Sequence, residues 1–206
     1  MDAVYTSTPL TPTSLGIALL RLAPLIISSG SLMCAWDQQN AFRSFLAPKL
    51  LEKKGDISAH VVVEWFAEFA KPTKWVIFLS YPLALSVALI NVFVDVGLAT
   101  PSTVLNNNGG KVAVLGAPAA PSAAGGLHPQ TKAFYIAGGV LSILHYWFGS
   151  WSMMWNARIS RKVNIGQQNY DALRGWLANN FARMCWVNVP AWLMFVCATA
   201  TFVKLE

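Results

Sequence analysis

The stretch AFYIAGGVLSILHYWFGSWSMMWNAR at residues 133–158 decides the fold class, because it holds no charged residue before its last position. About 20 apolar residues, at a helical rise of about 1.5 Å each, cross the roughly 30 Å hydrocarbon core of a bilayer. At helical spacing one face carries only small and polar residues, namely Gly138, Ser142, His145, Gly149, Ser152 and Asn156. Because small residues let helices approach closely in lipid, we predict that this face points into a helix bundle.

The composition of the whole chain agrees with a membrane protein. Of its 206 residues 55% are hydrophobic and only 12% are charged, against about 25% charged in soluble domains. The net charge of +6 is only weak evidence for nucleic-acid binding, because the basic residues flank apolar runs and form no solvated basic face. Three cysteines inside apolar runs, Cys34, Cys185 and Cys197, lack zinc-site spacing and are expected to be buried thiols.

Four apolar runs predict an all-α integral membrane bundle of one domain, residues 1–206. The predicted spans are 15–36, 75–99, 133–156 and 176–203. Residues 100–131 are dense in Pro, Gly, Ala and Asn without periodicity, and we expect a flexible loop or a lid over a site. His128 in this segment is expected to be a solvated loop histidine.

The first connection, residues 37–74, contains an amphipathic stretch at 57–70. His60, Glu64 and Glu68 share one of its faces, which predicts a helix that lies at the membrane surface. The same three side chains are also spaced for a metal ligand set, but no second carboxylate and histidine cluster accompanies them, and we predict no metal site.

The distribution of lysine and arginine predicts the orientation in the membrane. Most of these residues lie in the first and third connections. By the positive-inside rule those connections face the cytosol and both termini face away from it. We expect a multi-pass protein of the endoplasmic reticulum or a related endomembrane.

Polar residues inside the spans are functional candidates, because ionisable groups in a bilayer are costly. Helix rise places His145 and Asn188 near the midplane. His145 is expected to orient through a hydrogen bond to Asn188 or to a serine of its own stripe, and Asn188 by itself is typical of contacts between membrane helices. Arg21 and Asp95 both lie near the non-cytosolic surface and are expected to pair. Arg183 lies about 10 Å inside the cytosolic end; its expected partners are Asp37 or Asn156.

Three segments of the chain resemble the family of small four-helix membrane proteins that includes fungal anthrone oxygenases. They are SFLAPKLL at 44–51, NARI at 156–159 and WLANNFAR at 176–183, the last resembling that family's Trp-x-x-x-Asn-x-x-Arg segment. The resemblance implies oxidation of an anthrone-type aromatic polyketide to a quinone by O₂, without a bound cofactor. The absence of a dinucleotide fingerprint or haem motif from the sequence agrees with that chemistry.

We therefore predict a tailoring enzyme of fungal secondary metabolism that uses O₂ as co-substrate. His145 is the expected base; the predicted catalytic residues are His145, Asn188, Arg183, Asn180 and Asn156. The predicted substrate-binding residues are Trp147, Trp151, Asp95 and Arg21. The expected partners are a small lipophilic substrate and membrane lipid, with a possible second copy of the chain and no nucleic acid.

Two alternatives stay open at this point. One is a different tailoring step on a lipophilic polyketide or terpenoid, such as cyclisation, isomerisation or epoxide opening, which also needs only an acid or a base in an apolar pocket. The other is a non-catalytic membrane partner of a biosynthetic complex. A transporter is disfavoured because we find no internal repeat.

Overall fold

Four helical rods make up most of the described part of the molecule. The computed structural model describes residues 12–48, 55–93, 103–105, 111–113, 127–160 and 167–205. The first two rods are single helices, α1 (Pro12–Ser44) and α2 (Gly55–Phe93). The third rod consists of α3 (Pro129–Leu144), a 3₁₀ turn (His145–Phe148) and α4 (Gly149–Ser160). The fourth consists of α5 (Gln167–Arg183), a π-helical turn (Met184–Asn188) and α6 (Val189–Leu205).

Three of the four rods are long and apolar enough to cross a membrane. These stretches are Leu15–Ser44, His60–Phe93 and Gln167–Phe202, and in the most apolar window of the first two only 22% of the residues are buried. Their large apolar side chains point outward, as expected where lipid is the neighbour. The predicted all-α membrane bundle is confirmed. A fourth continuous span stays a prediction, because the 3₁₀ turn divides the third rod into helices of 16 and 12 residues.

The predicted amphipathic stretch 57–70 is helical, but it is not a separate surface helix. It forms the first part of the 39-residue helix α2, and its apolar face packs into the bundle through Val62 and Phe66. The opposite face, with His60, Glu64 and Glu68, is exposed. Helix α2 continues through Pro72, next to which the Thr73 hydroxyl donates to the Phe69 carbonyl one turn earlier. Hydroxyl groups of this kind help a helix to tolerate proline.

Two buried clusters hold the rods together. The first is aromatic and joins α1, α2, α4 and α5, with Phe42, Phe66, Ile159, Leu173 and Trp176 among its members. The second joins α2, α3 and α6 and is built from smaller residues such as Ala84, Ala88 and Ala198 around Tyr135 and Phe195. The predicted small-residue stripe of the third rod faces this second cluster through Gly138 and Ser142, both buried.

A short β-hairpin lies in the segment that was predicted to lack regular structure. Strand β1 (Thr103–Leu105) pairs antiparallel with β2 (Lys111–Ala113), with Val104 opposite Val112. β-branched residues favour strands, and the intervening sequence NNNGG is rich in turn-forming residues, so the sequence did contain the signal. The rest of 100–126 lies outside the described residues, and its predicted role as a lid stays a prediction.

Helix α3 begins directly after this segment. The side chain of His128 caps the helix, since its Nδ1 accepts a hydrogen bond of 3.3 Å from the backbone N–H of Gln130. Pro129 occupies the first turn, where its missing N–H costs nothing. His128 is exposed, as expected of a loop histidine, and it also fixes the start of the third rod.

Candidate functional site

His145 and Asn188, both predicted to lie near the midplane, are neighbours in the structure. The His145 side chain is 3% exposed, and its Nδ1 lies 3.1 Å from Oδ1 of Asn188. Its ring stacks on Tyr81 of α2, with 3.6 Å between the ring centroids. The Tyr81 hydroxyl also lies near the Asn188 side chain, although Nδ2 of Asn188 makes no hydrogen bond of normal geometry within the described residues.

Two irregular turns bring these side chains together. His145 opens the 3₁₀ turn of the third rod, and Asn188 ends the π-helical turn of the fourth. The π turn has a local cause, because the ring of Pro190 cannot approach the carbonyl four residues earlier, at Trp186, in a regular α-helix. Turns of both kinds change the direction of the side chains that follow, and they occur often at functional sites.

Arg183, at the end of α5, is a buried cation without a carboxylate partner in the described part of the chain. It is 5% exposed, and its Nη2 donates to Oδ1 of Asn180. Asn180 in turn donates to Oε1 of Gln39 at 2.9 Å and to the carbonyl of Ala35 at 3.2 Å. A buried charge that lacks a counter-ion is costly, which makes this position a candidate for binding an anion.

The partner of Arg183 differs from the two that the sequence suggested. Asp37 is exposed on the outside of α1, and Oδ1 of Asn156 has no hydrogen-bond partner among the described residues. Asn180 lies only three residues before Arg183 on the same helix, and depth along a rod does not reveal such a local partner. The prediction of an Asp37 or Asn156 pair was therefore wrong.

A cavity of about 70 Å³, called here the main cavity, lies beside Arg183. Aromatic side chains form much of its wall: Phe42, Phe66, Phe69 and Trp176. The rings of Phe66 and Trp176 meet edge-to-face with 5.3 Å between their centroids. Such a wall suits a flat aromatic molecule.

Three residues that line the main cavity each carry a buried polar atom without a partner in the described part of the chain. Oε1 of Gln38, Oδ1 of Asn156 and Nε of Arg183 are buried and have no hydrogen-bond partner within the described residues, and all three residues line this cavity. Gln38 is only 2% exposed. Since buried polar groups are almost always hydrogen-bonded, a ligand with both donor and acceptor oxygens fits here.

A smaller cavity of about 10 Å³, the small cavity, lies next to the main one. Gln38, Ile77 and Arg183 line both cavities. The small cavity is also lined by Tyr81 and by Ser80, whose hydroxyl is another buried atom without a partner among the described residues. His145 lines neither of the two, so Tyr81 is the side chain that connects His145 with them.

The main cavity is lined by residues from all four rods. Its walls from α1 and α5 are buried, whereas Ala70 and Ile77 of α2 and Ser152 and Asn156 of α4 are half-buried. Helix α2 packs closely along α3 but makes few contacts with α4. The cavity lining includes Phe42 near the end of α1 and Asn156 near the end of α4, so the cavity lies towards one end of the bundle.

The structure places the predicted walls Trp147 and Trp151 on the outer surface. They are 75% and 54% exposed and line neither cavity, so the prediction that they enclose a substrate inside the bundle was wrong. The 3₁₀ turn has three residues per turn and alters the helical phase on which that prediction relied. The aromatic walls come from α1, α2 and α5. Their sequence signal was the spacing of Phe66, Phe69 and Thr73 on one face of α2.

Arg21, the other predicted substrate-binding residue in a span, lies at the opposite end of the bundle. It is buried, and its Nη1 donates to the carbonyl of Asn91 at 2.8 Å and to Oδ1 of the same residue at 3.2 Å. Its carbonyl accepts from the Tyr135 hydroxyl at 2.7 Å. Along α1 it is about 25 Å from Gln38, so it does not reach the main cavity. Asp95 lies outside the described residues, and its pairing with Arg21 stays a prediction.

Other ionisable groups do not gather into a further site in the described parts of the chain. No three His, Cys, Asp or Glu side chains in those parts are close enough together to hold a metal ion. Of the three cysteines, Cys34 and Cys197 are half-buried. Cys185, which was expected to be buried, is exposed on the fourth rod.

The chain is similar over most of its length to a fungal protein. It is 25% identical over 182 residues to the probable epoxidase scpX of Mollisia scopiformis, a match that covers 88% of this chain and 94% of the relative. No protein-family model matches the chain. No solved structure matches it significantly.

Proposed function

We propose that this chain is a membrane-embedded tailoring enzyme of fungal secondary metabolism that oxygenates a lipophilic aromatic substrate with O₂ and without a bound cofactor. The observation that carries the proposal is Arg183, a buried cation that faces a cavity walled by aromatic rings. The similarity to a protein named as an epoxidase supports an oxygen-transferring reaction.

The reaction that we propose first is the oxidation of an anthrone-type polyketide to its quinone. A base removes one proton from the methylene carbon, and the negative charge spreads onto the ring oxygen. The anion transfers electrons to O₂, a carbon–oxygen bond forms, and the proton returns to give a hydroperoxide. The second carbon–hydrogen bond and the oxygen–oxygen bond then break. One anthrone and one O₂ thus give one quinone and one water.

Arg183 has the main role in this scheme, because it can stabilise the oxyanion. Its Nε has no hydrogen-bond partner within the described residues, and Arg183 lines both cavities. A preorganised cationic donor in a site of low dielectric constant stabilises developing negative charge far better than water does. Oε1 of Gln38 and Oδ1 of Asn156 accept hydrogen bonds from hydroxyl groups on the same substrate.

His145 is the base in this proposal. Its contact with Asn188 orients the ring, and a neutral imidazole can act as a general base. Tyr81 contacts His145 on one side and lines the small cavity on the other. We expect its ring to turn aside when substrate binds. The main cavity, at about 70 Å³, is smaller than the roughly 150 Å³ that accommodates benzene in an engineered core, so substrate entry requires such a movement.

Epoxidation is the second candidate, and the name of the relative favours it. A hydroquinone-type substrate would use the same base and the same oxyanion contact. The hydroperoxide would then transfer one oxygen to a neighbouring carbon–carbon double bond and release the other as water. One hydroquinone and one O₂ would give one quinone epoxide and one water.

Oxygen uptake by the purified full-length protein in detergent tests the proposal. With an anthrone as substrate we expect one O₂ consumed per quinone formed, at a rate well above that in buffer and unchanged by a chelator such as EDTA. A quinone epoxide formed from a hydroquinone would support the second candidate instead. Cyclisation, isomerisation or epoxide opening would give product without O₂ uptake. That result, or loss of the rate on metal removal, would contradict the proposal.

A further inference from the structure

A groove of about 360 Å³ lies on the outer surface between α1 and α5, away from the main cavity. Its lining combines two arginines, Arg43 of α1 and Arg174 of α5, with the apolar side chains of Leu177, Ala178 and Phe181. We call it the basic groove. We propose that the basic groove binds an anionic phospholipid, with the headgroup on the two arginines and an acyl chain along α5.

The height of the two arginines in the bundle matches a lipid headgroup. The apolar stretch of α1 begins at Leu15, and Arg43 occupies its last turn. The distance between them along the helix is about 42 Å, and a bilayer with its headgroups is about 40–45 Å thick. The positive-inside rule places this end at the cytosolic leaflet, where anionic lipids are concentrated.

The charges in the groove favour an anionic ligand over a neutral one. Within the described residues Arg43 forms no ion pair. Arg174 forms one, in which its Nη1 lies 2.9 Å from Oδ1 of Asp171. A guanidinium has five N–H donors. The pair with Asp171 leaves the other donors of Arg174 available to a ligand, in addition to the donors of Arg43. Two guanidinium groups from neighbouring rods can hold a phosphate or a carboxylate between them.

The apolar part of the groove lies deeper in the bilayer than its charged part. Phe181 is seven residues beyond Arg174 on α5, about 10 Å further into the hydrocarbon layer, and it is 52% exposed. A charged end at the membrane surface and an apolar wall below it reproduce the order of groups in a phospholipid. Free phosphate would use only the upper half of the groove.

Native mass spectrometry of the full-length protein tests this proposal, with phosphatidylserine and phosphatidylcholine of equal chain length as probes. We expect wild type to retain phosphatidylserine in preference. The double variant Arg43→Gln with Arg174→Gln should lose that preference, with affinity for phosphatidylserine falling about fivefold for each arginine. Lys71→Gln is the matched control, because Lys71 also forms an exposed pair with an acidic residue three positions earlier, Glu68.

The outcome is readable even if the proposed oxygenase activity is wrong, since the measurement needs no substrate. Circular dichroism of each variant shows whether it has kept its helices; if the double variant has not, the single variants carry the test. Equal retention of the two lipids by wild type would overturn the proposal. The same would hold if the arginine variants kept their preference, or if Lys71→Gln lost as much of it.

Discussion

Arg183 is the residue whose surroundings demand an explanation. A guanidinium that is 5% exposed in an apolar bundle is costly by several kcal/mol unless other groups compensate its charge. Asn180 supplies one acceptor, and no carboxylate in the described part of the chain supplies a second. A bound oxyanion completes this arrangement. Arg21, the other buried arginine, has its neighbours at the far end of the bundle and faces neither cavity.

The base can be tested at the same scale with His145→Gln. Glutamine keeps much of the shape and one hydrogen bond to Asn188, but it cannot accept a proton. We expect the variant to fold normally and to turn over an anthrone at least about 100-fold more slowly. In wild type the rate should fall towards acid pH, because only the neutral imidazole acts as a base. A variant of near wild-type rate, measured by quinone absorbance, would show that His145 is structural.

The two irregular turns govern the site at the scale of elements. His145 of the 3₁₀ turn and Asn188 of the π-helical turn are buried and in contact with each other. The space around the small-residue stripe differs before and after the 3₁₀ turn. A Cβ on Gly149 would meet nothing within 4 Å, whereas one on Gly138, before the turn, would meet Phe195 at 2.6 Å. After the turn, Ser152 and Asn156 of the third rod line the main cavity.

Packing of α3 against α6 gives an element-scale prediction. Gly138→Ala should destabilise the protein by about 1–3 kcal/mol, because Phe195 is fully buried and cannot move away from the added methyl group. Gly30→Ala is the matched control: a Cβ there meets nothing within 4 Å, and alanine is the better helix former. Thermal unfolding in detergent measures both. An equal melting temperature for Gly138→Ala and wild type would contradict this packing.

At the scale of the whole molecule, the sequence predicts the depth of a residue along its rod better than the direction of its side chain. A single 3₁₀ turn changes depth along a rod by only about 2 Å, so the common depth predicted for His145 and Asn188 agrees with their contact in the structure. The direction of a side chain depends on every turn before it, and a single 3₁₀ turn sent Trp147 and Trp151 outward. The aromatic walls of the main cavity come from three separate rods, and no pattern within one segment indicates such a meeting.

The length of α2 was misjudged for a related reason. A polar connection was predicted at this point because of Lys71, Pro72 and Lys74. The helix nevertheless continues through these residues. Burial of Val62 and Phe66 on one side stabilises the helical form at this point, since tertiary packing contributes more to a helix than local propensity does. This continuity places Phe66, Phe69 and Thr73 in the main cavity.

The central claim, that Arg183 holds the oxyanion of the substrate in the main cavity, is tested most directly by the kcat/KM of Arg183→Gln beside that of Arg21→Gln. Both arginines are buried and bonded to an asparagine, so both changes should lower the melting temperature. The rates are measured on folded protein, below the melting temperature of each variant. We expect kcat/KM with an anthrone to fall about 100- to 1,000-fold in Arg183→Gln and to change less than about threefold in Arg21→Gln. An Arg183→Gln variant with wild-type kcat/KM, or equal losses in both variants, would contradict the claim.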